Sequence, residues 1–508
     1  MSNKKNKVSL NPIMTLMILI VVTIVLSGVL ALFGVGASYD TIKNSTYESN
    51  WVAVESLFNL RGIKYIFQST VSNFAAFTPL SMLIIILIGI GIMDKSGFLK
   101  TTFSLITRKC QKKTLTFVLA LICIILSIGG DLAYVVMIPL SALLFYYGRR
   151  NPLLGIVISF AALTCGTGLS FFKTSIDSSL DALTLESSRI LDSSYTFTYL
   201  GYFIIMVVAI LAFAALITYI SERFSVNELP KYEFKDDKKD FKLAKRDIRG
   251  LIFAGTFGII YLLIFIYNII PGLPLSGNLL DYSQKLYIDK LFNPDSFFSQ
   301  GFVFIVTILF VILGLFYGLG SRSIKNSNDF CDYLTHSLDG IGRTIILILL
   351  SSILVNVFKK SNIGTVITAL IGNLITNCKF TGIPLLVLFF IGTAVATFFL
   401  PNTVNKWTIL SASCVPTLMN VGFSAEFIQV IFRFAEGMTY GLTPIMAYFV
   451  IYLAYMEKYN TADNPIGVFK ILNYQKKYAL ATGVILLIIL IIWYLVGLPI
   501  GIGVMPTI

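Results

Sequence analysis

The chain has 508 residues, 56% of them hydrophobic and only 13% charged, with a mean hydropathy of +0.83 and a net charge of +13. A soluble domain carries about 25% charged residues, and the apolar runs here are continuous rather than alternating, so the chain reads as an all-α polytopic membrane protein and a β-barrel is excluded. The positive charge does not point to nucleic acid, because the basic residues lie between apolar runs, where the positive-inside bias places them.

In chain order, Lys4, Lys5 and Lys7 put the N-terminus on the cytoplasmic side, and a first helix, about 12–35, crosses outward. That helix lacks a small-residue cleavage site and reads as retained rather than as a signal peptide. The segment 38–68 is polar and of mixed charge, as an external segment is. A second helix, about 75–93, returns to a loop, 94–113, with six basic residues. The apolar run 114–147 is 34 residues long. As one helix it would extend about 50 Å, well beyond the hydrocarbon core. Both its ends are basic, so it must cross an even number of times. The centre, SIGGD, predicts a break near Gly129, Gly130 and Asp131, since paired glycines interrupt a helix. The run 156–165 stops at Gly166-Thr-Gly168, which reads as a re-entrant hairpin or an unwound helix. Such backbone is tolerated in a bilayer only where protein or water satisfies it.

After a helix at 198–221, residues 223–249 form a charged cytoplasmic linker between two membrane halves, 1–222 and 250–508. The second half repeats the theme, with apolar runs interrupted at 361–364, 401–406 and 437–444. Breaks at 166–175 and 401–405 sit in comparable places, which points to an inverted-repeat transporter with re-entrant hairpins near 152–197 and 363–405.

Ionisable groups in apolar context are expensive and usually face an interior cavity. Asp131 reads as a cation-coupling group or as a helix cap. Asp177, with Asp181 one turn on, reads as a cation ligand or proton carrier, or as a solvated loop acid. Asn402, Thr403 and Asn405 offer oxygens that suit Na⁺, so a Na⁺ site near Asp177, Asn402 and Asn405 is one expectation. Trp407 offers an aromatic face to a solute, or belongs to an interfacial belt. Lys406 beside it reads more readily as a snorkelling lysine. Arg433 and Glu436, at i and i+3, share a helix face; they either pair structurally or grip a substrate carboxylate.

The sequence holds no Walker A, H-E-x-x-H or G-x-S-x-G motif, so no ATPase, zincin or serine hydrolase is indicated and the chain is not read as an enzyme. The six cysteines are scattered without a C-x-x-C pair and read as packing thiols. The single histidine, His336, lies in a loop-like stretch. No cofactor is indicated beyond a coupling ion.

The stretches NFAAFTPL (73–80), GIGIMDKSGFL (89–99), DLAYVVMIPLSALLFYYGRRNPLLGI (131–156), SNIGT (361–365) and KWTILSASCVPTLM (406–419) resemble, in order and spacing, the signature segments of the AbgT family of p-aminobenzoyl-glutamate transporters. The resemblance covers about residues 10 to 500. It implies a homodimer in the cytoplasmic (inner) membrane, each protomer with nine transmembrane helices, two re-entrant hairpins and a central site. It also implies uptake of p-aminobenzoyl-glutamate, or export of sulfonamide-type antimetabolites, coupled to Na⁺ or H⁺. By position, Asp177 matches the family's first-hairpin aspartate, Trp407 its tryptophan and Arg433 its arginine. The chain departs from the pattern at Glu436, where aspartate is usual, at Val404 in place of serine, and at Ala425 in place of proline. The expected function is secondary active transport of an aromatic carboxylate, with Asn402, Thr403, Asn405, Trp407, Arg433 and Glu436 binding substrate and Asp177 and Asp131 coupling a cation. Proton-driven drug efflux is the alternative.

Overall fold

The apolar runs fold as helices, and the polar breaks between them are where those helices end. The computed structural model describes residues 10–43, 46–170, 174–198, 201–234, 242–293, 295–462 and 464–508. Lys4, Lys5 and Lys7, the stretch 171–173 of the first break, and residues 235–241 of the charged linker lie outside them.

Helix α1 (Pro12–Leu32) precedes two strands, β1 (Gly36–Lys43) and β2 (Thr46–Ala53). There follow α2 (Leu60–Ala75), α3 (Thr78–Ser96), α4 (Phe98–Lys109), α5 (Lys112–Leu126), α6 (Asp131–Tyr147), α7 (Pro152–Cys165), α8 (Ser175–Ser188), α9 (Phe203–Ile220) and the one-turn α10 (Val226–Glu228). The second half holds α11 (Lys245–Ile269), the short α12 (Tyr287–Phe292), α13 (Phe297–Ser321), α14 (Ser327–His336), α15 (Gly342–Lys360) and α16 (Ile363–Asn377). It ends with α17 (Gly382–Phe399), α18 (Thr403–Met419), α19 (Ala425–Thr439), α20 (Phe449–Lys458) and α21 (Val468–Val496). Among the described residues, nine helical stretches are long and apolar enough to cross a membrane.

The break expected near Gly129 is present. A 3₁₀ turn at Ser127–Gly129 ends α5, and Gly130 takes φ +56°, a conformation glycine enters without a Cβ clash, before α6 begins at Asp131. The segment 38–68, expected to be external, is more ordered than its polarity suggests. β1 and β2 pair antiparallel, with Gly36 opposite Ala53, and Thr, Tyr, Trp and Val supply the strand preference. The hairpin docks on the α15–α16 junction, where the Glu55 N–H donates to the Ser361 carbonyl at 3.0 Å. This is the one local departure from the all-α expectation.

Two antiparallel helix pairs lie at the centre. In the first, α6 and α7 approach closely: Ser141 Oγ donates to Ser159 Oγ at 2.8 Å, and a Cβ on Gly155 would lie 2.5 Å from the Ser141 carbonyl oxygen. In the second, α16 and α17 pair so tightly that a Cβ on Gly364 would lie 2.4 Å from the Phe399 carbonyl oxygen. A non-helical break follows each pair, beginning at 166–170 and at 400–402, and the next described helix is α8 or α18. These two helices pack on each other. The segment 152–197 therefore divides: α7 pairs with α6, while α8 packs on α18 and α19.

α7, apolar all round, is buried along its whole length, and α19 is buried from Ala425 to Gly437 although it carries Glu426, Gln429, Arg433 and Glu436, which are paired inside. α1, α11 and α21 are peripheral and turn apolar side chains outward, among them Val21, Ile259 and Val484. At the other end of the chain, residues 500–508 fold back. The Ile205 N–H donates to the Ile500 carbonyl at 3.1 Å, and the Ser424 N–H and hydroxyl donate to the carbonyls of Pro506 and Met505 at 2.9 and 2.7 Å.

The α6–α7 approach can be tested. Gly155→Val must push the pair apart and should cost about 1–3 kcal/mol of stability, read as a lower Tm in detergent. Gly255→Ala, in α11 with nothing within 4 Å of the added Cβ, should leave Tm unchanged or raised.

Candidate functional site

The two helix breaks converge on α19, which carries Arg433 and Glu436. Ser424 caps α19 at its N-terminus, its hydroxyl accepting from the Phe427 N–H at 3.4 Å. One turn of helix then puts Arg433 and Glu436 on the same face. They pair as the spacing predicts, Arg433 Nη1 donating to Glu436 Oε2 at 2.6 Å. Arg433 Nη2 donates to the Thr167 carbonyl at 2.7 Å, so the guanidinium satisfies backbone that the first break leaves without a helical partner. The chains are in close contact here: a Cβ on Gly168 would lie 2.2 Å from the Arg433 carbonyl oxygen, and one on Gly437 2.4 Å from that of Cys165.

Asp177 joins from α8. It forms a capping box with Thr174, whose N–H and hydroxyl donate to Asp177 Oδ2 at 3.0 and 2.7 Å. Its other oxygen, Oδ1, lies 3.6 Å from Arg433 Nη2. Asp177 is thus a buried partner of Arg433 rather than a solvated loop acid.

The second break is spanned by a bond between side chains of the flanking helices. Lys406, read from sequence as snorkelling, has no exposed surface. Its Nζ donates to Thr397 Oγ1 on α17 at 2.7 Å and to Glu436 Oε1 at 3.0 Å, and sits 5.3 Å from the centre of the Phe432 ring. Thr403 also donates to Glu436 Oε1. The reason is helical phase. Asn402 caps α18 by accepting from the Asn405 N–H, which fixes where the helix starts and turns Thr403, Lys406, Trp407 and Leu410 inward. Asn402 and Asn405 themselves are exposed.

The result is a buried cluster of two cations and two carboxylates, Arg433, Lys406, Glu436 and Asp177, with no net charge when all are ionised. Buried ion pairs of this kind are weak sources of stability, but removing one member is severe.

Trp407 is fully buried beside the cluster, its ring 4.3 Å from that of Phe432. Its Nε1–H donates to Thr184 Oγ1 at 2.9 Å, placing it in the core rather than in an interfacial belt. Thr184 also bonds Gln429 Oε1 at 2.6 Å, and Gln429 Nε2 donates to Asp181 Oδ1 at 2.7 Å. Asp131 stands apart: it opens α6, is exposed, and faces the cluster across Tyr440 and Tyr134, each within electrostatic reach of both Asp131 and Glu436.

Between α8, the start of α9 and α19 is a cleft of about 10 Å³, lined by Gly168, Ser170, Asp177, Tyr202, Gln429 and Arg433. That is room for about one water. Arg433 Nε, also buried, has no acceptor among the described residues. Sequence reasoning singled out Asp177, Trp407, Arg433 and Glu436, which the fold brings together. It missed Thr184, Gln429 and Thr397, which carry no charge and no motif, and it misplaced Lys406, whose signal was a helical spacing of three from Thr403.

A double-mutant cycle tests the buried pair. Lys406→Met leaves Glu436 under-compensated and should destabilise by about 3–5 kcal/mol in thermal unfolding. The double variant Lys406→Met/Glu436→Met should lose much less than the sum of the singles; additive losses would show the two groups are not coupled.

A model of the AbgT putative transporter family matches residues 4–508. The p-aminobenzoyl-glutamate transport protein of Escherichia coli (strain K12) is 25% identical over 505 residues, covering 99% of this chain and 95% of that protein. Among solved structures, the YdaH transporter of Alcanivorax borkumensis, noted for an unusual topology, is 24% identical with a TM-score of 0.48, over 97% of this chain and 100% of that one. MtrF of Neisseria gonorrhoeae, said to illuminate a class of antimetabolite efflux pumps, is 25% identical with a TM-score of 0.47, over 98% of each chain. With the family model running from residue 4 to residue 508, this protein belongs to the AbgT putative transporter family and is a transporter rather than an enzyme.

Proposed function

We propose that the protein is a secondary active transporter of p-aminobenzoyl-glutamate or a similar aromatic carboxylate, driven by a Na⁺ or H⁺ gradient. The substrate class is supported by the relative from Escherichia coli, and one observation carries it here. Arg433 is buried beside a cleft, already aligned by Glu436, and keeps a free Nε–H. A guanidinium held this way is ready for a carboxylate oxygen. In this reading Arg433 takes the solute's carboxylate, Glu436 sets its orientation, and Trp407 contributes an aromatic face once Phe432 moves aside. Thr403 hydrogen-bonds within the same cluster, and Asn402 and Asn405 meet the solute from the exposed face of the second break.

Charge explains the coupling. The cluster is neutral, and a carboxylate entering it leaves an unbalanced negative charge in a low-dielectric interior, which is expensive. A cation must enter with it. A Na⁺ ion near Asp177, Asn402 and Asn405 requires both exposed amides to turn inward. A proton requires only that Asp177 release Arg433, so the geometry favours H⁺. Asp131 is the second coupling carboxylate. The cleft is far smaller than the roughly 300–1,000 Å³ of a drug-sized site, so α8, α18 and α19 must separate for the solute to bind.

The repeated order of helix pair, break and helix, at 131–188 and 363–419, supports two halves, 1–222 and 250–508, related as inverted repeats. In the cell the chain would be a homodimer in the cytoplasmic membrane, as the family resemblance implies, and its distribution of basic residues supports a cytoplasmic N-terminus.

The test is flux of radiolabelled p-aminobenzoyl-glutamate into proteoliposomes, with Na⁺ and proton gradients imposed separately. Arg433→Ala should lower the initial rate about 10- to 100-fold, the worth of a charged hydrogen bond. Asp177→Asn should uncouple uptake from the gradient that drives the wild type. Normal transport by both Arg433→Ala and Trp407→Ala would sink this site assignment. Extrusion of a labelled sulfonamide, with no uptake of the aminobenzoyl-glutamate, would select the efflux reading instead.

A further inference from the structure

Away from the buried cluster, a second cleft of about 340 Å³ opens where α3 ends, α11 begins and α13 ends. Four cations surround it: Lys100, Lys242, Arg246 and Arg322. The floor is made of buried hydroxyls. Thr101 and Tyr317 bond each other at 2.7 Å, and Ser96 and Ser321 lie beside them. One carboxylate, Asp247, faces the same space. It lies 3.8 Å from Arg246 and accepts from the Ala244 N–H, so its charge is already shared. Among the described residues, Lys100, Lys242 and Arg322 have no ion-pair partner.

α3, α11 and α13 are three of the helical stretches apolar enough to cross a membrane, and they pack together. A Cβ on Gly250 would lie 3.0 Å from Tyr317, and one on Gly314 2.8 Å from Ile92. All three reach the edge of their apolar span at this cleft, which puts it at a membrane boundary. Along the face of α11 that carries Arg246, Phe253, Ile260 and Ile264 recur at helical spacing and are exposed and apolar. A polar hollow with an excess of three positive charges thus continues into an unpartnered apolar helix face.

We propose that this cleft binds a phosphate-bearing anion, the headgroup of an anionic phospholipid, whose acyl chains lie along the exposed face of α11. Arg246 and Arg322 offer forked donors and Lys100 and Lys242 point charges, all suited to a phosphodiester. Basic hollows between membrane helices are where such headgroups are held, and the volume suits a whole headgroup rather than one ion. The apolar face of α11 distinguishes a lipid from free phosphate, which has no use for it.

The experiment is native mass spectrometry of the full chain in detergent, titrated in separate arms with phosphatidylglycerol, phosphatidylcholine and inorganic phosphate. The wild type should retain phosphatidylglycerol and discriminate against phosphatidylcholine. Lys100→Gln/Arg322→Gln should weaken phosphatidylglycerol binding about tenfold or more. The charge-matched control Lys285→Gln/Lys379→Gln, whose residues are exposed elsewhere, should not. Equal retention of the two lipids by the wild type, or unchanged binding in Lys100→Gln/Arg322→Gln, overturns the site. Inorganic phosphate binding as tightly as phosphatidylglycerol overturns the lipid and leaves a free phosphate as the ligand.

Discussion

One carboxylate ties the interior together. Glu436 accepts from Arg433 on one oxygen and from Lys406 and Thr403 on the other. Each of those cations in turn secures one of the two places where the backbone leaves helical geometry. Arg433 reaches Thr167 in the first break, and Lys406 reaches across the second to Thr397. Unsatisfied polar backbone cannot persist in a bilayer, so the first break depends on Arg433, while Lys406 ties together the two helices that flank the second through a side chain. The cations, buried, depend on the carboxylate. An aspartate at this position would have one methylene less with which to reach both oxygens' partners.

This arrangement couples events that the primary structure keeps far apart. Any movement that draws Arg433 away from Glu436 loosens the first break and shifts the charge felt by Lys406. That loosens the second break too. A neutral cluster with alternative pairings is a bistable element, since each ion needs some partner but several are within reach. The closed cleft and the fully packed Trp407 are what one would expect of its contracted arrangement, in which the protein's own carboxylates occupy Arg433.

The membrane class, the break at Gly129–Gly130 and the pairing of Arg433 with Glu436 were legible in the sequence. Long apolar runs, paired glycines and an i, i+3 ion pair are local signals. Two things were not legible. The β1–β2 hairpin was hidden because its strands carry charged and polar residues on exposed faces, so polarity masked the pattern of Tyr, Trp and Val beneath. The burial of Lys406 was hidden because it depends on helical phase, which Asn402 sets by capping α18, and on α19 arriving alongside from elsewhere in the chain. The same holds for Thr184 and Gln429. They matter only because tertiary packing puts them between Trp407 and Asp181.

The fold-back of residues 500–508 has a practical consequence. Ser424, which caps the helix bearing Arg433 and Glu436, is bonded through both its N–H and its hydroxyl to Pro506 and Met505, and the Ile508 N–H donates to Gly422. The start of α19 and this strap therefore form one mechanical unit. A spectroscopic label at Thr507 would then follow α19 through a transport cycle without touching the buried charge cluster. If its distance to a label on the peripheral α11 stays fixed while solute is moved, α19 is a stationary post and the helices around it do the moving.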